Sequence, residues 1–414
     1  MSRTVAEPPA PIEIGVILAG RPDAHRHRLI DAAIERLHRE LSTRFERFRF
    51  VVSRHRRPDI AERGREESSR LLRTAAELRT RQRWDMALMI TPEELIARRR
   101  SFAFAALSRP LESALVSTAR LVVADHPDQP HRPGNDPSSD PSSDAGQALL
   151  VDRLATLLLH AVAHLGGLPE ARDHQALLFH PSDAEELDGM NRFSATEIAA
   201  LDAAFEAIAD QRLEEDGTRH VSRWRFGVRA AWINRERIGE AVAAARPWEF
   251  PQRLSRLTTA ALSTLAVLLM TAESWDLGLS QGWGALGAMA GLVLLATTGF
   301  VVTRQQLLMR RHRELREQLV VTRIAALLIV LSGLAITWVG IFALVLLAAL
   351  TLFDPALVVA WAASNALHAE QVGLATATKM ACFCASIALL IGSLGASFED
   401  QQHFQHVIFV DEEL

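Results

Sequence analysis

His160-Ala-Val-Ala-His164-Leu-Gly-Gly167-Leu-Pro-Glu170 decides how the first half of this 414-residue chain is read. It follows the apolar run Ala148-Leu-Leu-Val-Asp-Arg-Leu-Ala-Thr-Leu-Leu-Leu159, whose pattern predicts a buried helix. Histidines four residues apart stand one turn apart on one helix face, so both imidazoles can reach one metal ion. Gly167 lets the helix stop and the chain turn sharply. Glu170, Asp173 or His174 could then supply a third ligand. The plainer alternative is two helix histidines satisfied by backbone or water.

The spacing resembles the metzincin zinc-protease signature H-E-x-x-H-x-x-G-x-x-H. Further along, Leu187-Asp-Gly-Met190-Asn-Arg-Phe resembles the Met-turn of that family. Phe102-Ala-Phe-Ala-Ala-Leu and Ser113-Ala-Leu-Val-Ser-Thr-Ala-Arg-Leu121 resemble strands of an archaemetzincin-type domain, and the resemblance covers residues 12–212. It implies an α/β metzincin-like N-terminal domain with zinc on His160 and His164. Glu170 or His174 would be the third ligand, and Met190 would lie beneath the ion. Two positions depart from the pattern. The family's general-base glutamate falls on Ala161, which cannot accept a proton, and the third-histidine position falls on Glu170. Loss of a general base alone costs a factor of about 10² to 10⁴. The resemblance therefore implies a domain that keeps the protease fold without efficient turnover.

The flanking segments fit an α/β domain. Glu13-Ile-Gly-Val-Ile-Leu-Ala-Gly20, Phe48-Arg-Phe-Val-Val-Ser and Trp84-Asp-Met-Ala-Leu-Met-Ile90 read as strands. Between them, residues 26–45 and 59–82 read as helices, and strand–helix alternation argues for a sheet covered by helices. Strand candidates follow at 101–107 and 114–118. Arg98-Arg99-Arg100 reads as a solvated turn, and the Pro-, Ser- and Asp-rich segment 126–144 as a flexible loop; its His126 and His131 make poor ligands for a rigid site. Ser194-Ala-Thr-Glu197 is a capping box that opens a helix over 195–213. A second helix, 220–245, carries Arg225, Arg229 and Trp232 and reads as lying at a lipid surface.

After Arg246-Pro-Trp-Glu-Phe-Pro251 the character changes. Four apolar runs, at 257–272, 277–303, 324–353 and 380–398, read as membrane spans, the first of them short for a bilayer. The predicted organisation is a metzincin-like domain (12–215), a basic juxtamembrane helix and linker (216–250), an all-α transmembrane domain of about four helices (251–400) and a tail (401–414). The linker at 304–316 is rich in Arg, whereas 273–282 has no Lys or Arg. The positive-inside rule then places the N-terminal domain and the tail in the cytoplasm, as does the absence of a signal-peptide pattern. The spans lack mid-membrane ionisable residues, so anchoring is a simpler role than transport or a channel. Gly287 and Gly291 form a small-x-x-x-small pair that could join helices of two copies.

The net charge of −4 gives no field that would favour nucleic acid. Cys382 and Cys384 read as helix-packing residues, not a disulfide framework. The expected partners are the lipid bilayer and a peptide or protein. The expected role is a membrane-anchored binding or regulatory pseudoprotease; the alternative is a tethered zinc peptidase using Glu170 or Asp173 as base.

Overall fold

The computed structural model describes residues 10–60, 65–97, 102–121, 144–190, 192–210, 223–307, 317–362, 365 and 368–414. Arg98–Arg100, His126, His131 and the middle of the basic 304–316 linker lie outside the described residues. The chain forms two compact units. One comprises Met1–Glu236, Arg313–Thr322 and Phe409–Leu414, the other Arg237–His312 and Arg323–Ile408.

The first unit is built on a six-stranded mixed sheet. Its elements run β1 (Ala10–Ala19), α1 (Ala24–Arg44), β2 (Phe48–Arg57), β3 (Arg65–Glu67), α2 (Ser68–Gln82), β4 (Met86–Thr91), β5 (Glu94–Ile96), β6 (Ala105–Ser108) and β7 (Ser113–Ser117). Then come α3 (Asp144–Leu165) and α4 (Ala195–Asp210), and much later β8 (Glu412–Glu413). The strand order is β2-β1-β4-β7-β6-β8, and β3 pairs with β5 in a separate two-stranded ribbon. Strands β2, β1, β4 and β7 are parallel, with α1 and α2 as the crossovers among the first three. Strand β6, which lies between β4 and β7 in sequence, runs antiparallel to β7 across a tight turn. The helix expected over 59–82 begins only at Ser68, because β3 takes up the residues before it.

Alternation along the strands sorts the core into two layers. Ile12, Ile14, Val16 and Leu18 of β1 face one side, with Leu88 of β4, Val116 of β7 and Leu107 of β6. Against them pack Ile34 and Leu37 of α1, Leu154, Leu157 and Leu158 of α3, and Phe205 of α4. Helix α2 packs against β4 and β7, and its buried Leu71, Leu72, Ala75 and Ala76 stand outside that cluster, which puts it on the opposite face. Helix α3 is long and apolar enough to cross a membrane, yet it is the central helix of this core. Helices apolar on all sides are buried in either setting, and here the sheet supplies the cover.

The expected helix over 220–245 is two helices, α5 (Arg223–Ile233) and α6 (Arg235–Ala244). They meet at Asn234, whose side-chain amide donates to the Ala230 carbonyl at 2.9 Å. The second unit continues with α7 (Phe250–Arg253), α8 (Ser255–Leu269), α9 (Ala272–Ser280), α10 (Trp283–Arg304), α11 (Glu317–Thr351), α12 (Pro355–Trp361), α13 (Leu374–Gly395) and α14 (Gln401–Phe409). Stretches Trp283–Arg304, Val320–Thr351 and Leu374–Phe398 are long and apolar enough to cross a membrane. The run expected as the first span, 257–272, is nearly all α8. The run expected as the second, 277–303, begins only at Trp283, because its first residues belong to α9, which meets α8 at 89° across Met270 and Thr271. Within this unit Ala261, Leu265, Trp275, Val345, Met380 and Cys384 form a common core. Leu292, Leu295 and Leu347 on the long helices are 69%, 66% and 61% exposed, an apolar surface unlike that of a water-facing helix.

Candidate functional site

Helix α3 carries the histidine pair into the interior. His160 is fully buried and His164 nearly so. After His164 the helix ends as the glycine predicted: Gly167 takes φ 92°, its N–H donates to the His164 carbonyl at 2.9 Å, and Leu168 N–H reaches the Ala163 carbonyl. Arg109, just beyond β6, also grips this end of the helix. Its guanidinium donates through Nε to the His164 carbonyl (3.1 Å) and through Nη2 to the Leu168 carbonyl (2.6 Å). A cation there also suits the negative end of the helix dipole.

The loop after the helix returns beside His160 and presents a backbone carbonyl to it. His160 Nδ1 lies 2.7 Å from the Leu177 oxygen, which can only accept, so the Nδ1 proton points there. Its Nε2 faces a carboxylate oxygen of Glu412 at 3.6 Å. The loop side chains expected as third ligands go elsewhere. Glu170 and Asp173 are exposed. His174, 73% exposed, lays its ring 4.2 Å from that of Phe179 and 4.0 Å from Glu186. Met190 is fully buried, lining a small cavity with Leu37, Ala155 and Leu159. Ala161 is likewise fully buried in the main core.

The carboxylates that do reach the pair come from about 250 residues downstream. Strand β8 adds antiparallel to β6 with Leu107 opposite Glu412 and Ala106 opposite Glu413. Directly opposed residues share a face, so Glu412 points where Leu107 points, toward α3. Glu412 lies with one oxygen 3.6 Å from His160 Nε2 and the other 2.5 Å from His164 Nδ1. Asp411 meets His164 Nε2 at 3.2 Å and accepts the Arg109 backbone N–H at 3.2 Å. Burial alone would favour the neutral His164 ring, but the adjacent carboxylates of Asp411 and Glu412 outweigh it and raise its pKa to about 9. For Glu412 burial acts upward, and bonding to His160 and His164 outweighs it, holding the carboxyl well below its ordinary range.

This geometry bears on zinc. Two imidazoles are donor chemistry that zinc accepts, and a ring held through Nδ1 by a carbonyl is how a ligating histidine is oriented. His160 fits that description. His164 does not, since both of its nitrogens face carboxylates and a ligand ring must keep a lone pair. Among the described residues no three His, Cys, Asp or Glu converge as a metal site. The arrangement fits an ion-pair cluster better than a zinc shell. Arg109, Asp411 and Glu412 were not identified from sequence; the only signal was three acidic residues followed by leucine, with nothing to say which strand they join.

These features define an α/β domain whose core helix offers a His-x-x-x-His pair to the edge of its sheet. The chain is similar to the crystal structure of archaemetzincin from Methanopyrus kandleri, at 20% identity and a TM-score of 0.36, over 49% of this chain and 99% of that one. It is similar also to a zinc-dependent peptidase from Methanocorpusculum labreanum, at 18% identity and a TM-score of 0.32, over 45% of this chain and 99% of that one. An archaemetzincin from Archaeoglobus fulgidus complexed with malonate matches at 15% identity and a TM-score of 0.31, over 46% and 99%. No protein-family model matches the sequence, and no curated protein matches it.

Proposed function

We propose that the first unit is a peptide-binding module of metzincin type that does not turn peptides over, anchored to a membrane by the helices that follow it. The observation that carries this is Ala161. It follows the first histidine, where a general base would have to stand, and its methyl group is buried in the apolar core. The two carboxylates beside the pair are engaged by the imidazoles, and a carboxylate held in an ion pair is a poor proton shuttle. A peptidase using Glu170 or Asp173 would need an exposed loop carboxylate carried to the pair.

Membrane anchoring is supported by the three long apolar stretches of the second unit and their exposed leucines. Arg246 and Arg253 ahead of α8, Arg256 in its first turn and the Arg-rich 304–316 linker favour a cytoplasmic first unit by the positive-inside rule. Gly287 and Gly291, where an added Cβ would meet nothing within 4 Å, offer a face for a second copy. Reporter fusions at Gln281 and after Leu414 test the orientation, with an external reading expected only at Gln281.

The decisive assay is peptide-library cleavage by the full chain in lipid nanodiscs. It compares wild type, Ala161→Glu and the uncharged Ala161→Gln, with circular dichroism and zinc content measured for each. Chelator-sensitive cleavage by the wild type would overturn the proposal. Cleavage confined to Ala161→Glu would support it.

A further inference from the structure

Strand β6 would be the edge of the sheet were it not for six residues from the far end of the sequence given. The contacts of Phe409–Leu414 are those of a bound peptide. The Asp411 N–H donates to the Leu107 carbonyl (3.1 Å), the Leu414 N–H to the Ala105 carbonyl (3.0 Å) and the Phe104 N–H to the Leu414 carbonyl (2.6 Å). Side chains two apart on a strand share a face. Glu412 and Leu414 therefore both turn toward α3, Glu412 onto the imidazoles and Leu414 into the main apolar core. Asp411 completes the set against His164 and the Arg109 backbone.

We propose that Phe409–Leu414 is a built-in occupant of the groove between β6 and the histidine pair, excluding extended peptides that carry the same acidic–acidic–any–apolar pattern. This deepens the proposed function and rests on its reading of the groove as a peptide site. Strand addition supplies backbone affinity at an unpaired edge, and alternate side-chain seats supply selectivity. The seats here are specific: an Arg109- and His164-lined place for the first acid, the imidazole pair for the second and an apolar hole two residues on. The docked strand is short, with two paired positions, and so can be exchanged. A tethered occupant acts at an effective concentration of roughly millimolar. A competing peptide that fits the open groove as well as the tethered segment does should then bind the full chain with an apparent Kd near that value.

The test uses the full chain and a chain ending at Ile408, both in nanodiscs. The probe is a fluorescein-labelled peptide of sequence Phe-Val-Asp-Glu-Glu-Leu, read by fluorescence anisotropy. The shortened chain should bind the probe at least tenfold more tightly than the full chain does. A peptide with both acids of the pair replaced by their amides should bind it at least tenfold more weakly. The full-length double variant Asp411→Asn, Glu412→Gln keeps the strand and its backbone bonds. It should bind the probe more tightly than wild type, and it decides the matter if the shortened chain loses its circular-dichroism spectrum. Equal probe binding by wild type and double variant, or no binding by a folded shortened chain, would overturn the inference. If the shortened chain both binds and cleaves peptides, the occupant stands and the non-proteolytic reading falls.

Discussion

Replacing Leu414 by Ala should loosen one strand without unfolding the domain. Leu414 is 1% exposed and belongs to the main core cluster, on the side of the sheet covered by α3. Truncating a buried leucine to alanine costs about 2 to 5 kcal/mol, depending on how far the surroundings collapse into the space. Because β8 is an edge strand with two paired positions, that cost should fall on local opening of 409–414. At about 1.4 kcal/mol per factor of ten, the open population rises about thirtyfold at the lower bound and a few thousandfold at the upper. Hydrogen exchange followed by mass spectrometry reads this directly. Peptides covering 102–108 and 409–414 contain the amides of Phe104, Asp411 and Leu414, whose partners lie across the β6–β8 junction. Those amides should lose protection while β1 and β4, in the middle of the sheet, keep theirs. Equal loss in β1 and β4 would show that β8 is an integral strand of the fold, and unchanged protection at Phe104 would show that Leu414 does not hold it.

Other expectations follow from the same framework. An alanine at Gly15 would put its Cβ 1.7 Å from Trp84 Cε3, so the indole must move and Gly15→Ala should destabilise the first unit by about 1 to 3 kcal/mol or more, read by pulse proteolysis. Zinc retained after dialysis should rise when residues 409–414 are removed, since His164 is then released from its carboxylates, and His160→Ala in that background should return it to baseline. Asp23 caps α1 by accepting the Arg26 N–H at 2.7 Å, and that bond holds its carboxyl below the ordinary 3.8. The depressed value means the carboxylate's contribution is present above the ordinary pKa and disappears as pH falls through the lowered one. The difference in thermal midpoint between wild type and Asp23→Asn, which keeps an acceptor but cannot titrate, should therefore vanish in acid.

Much of the first unit could be read from short-range pattern. The buried strands β1, β4 and β7 are continuous apolar runs, and the histidine pair is fixed by a four-residue spacing and the glycine behind it. Periodicity failed where the partner was remote or the environment ambiguous. Hydropathy alone would not separate α3 from a helix buried by lipid, but the histidine pair and the strands around it placed it correctly in the sheet domain. The turn after Gly167 was predictable, but its direction was not, so Glu170 and His174 looked available when the loop in fact offers the Leu177 carbonyl. Least legible was β8. Two residues of strand after a helix carry no pairing signal, and the Arg109–Asp411 contact spans 302 positions.

The electrostatics of the groove argue that it is seldom left empty. His160 and His164 sit on a buried face, with Arg109 at the end of the same helix, and among the described residues the acids beside them are Asp411 and Glu412. Buried polar nitrogens without partners are costly, and a buried imidazolium without a counterion costs more. Something must therefore satisfy them: a metal ion with a third donor, the acids of a bound peptide, or acids from the chain itself. In this structure Asp411 and Glu412 do so, bringing two negative charges to the imidazoles and Arg109. A histidine pair with Ala161 between its members and such a counter-charge beside it is suited to holding an acidic strand, and a strand that can leave makes the holding regulable.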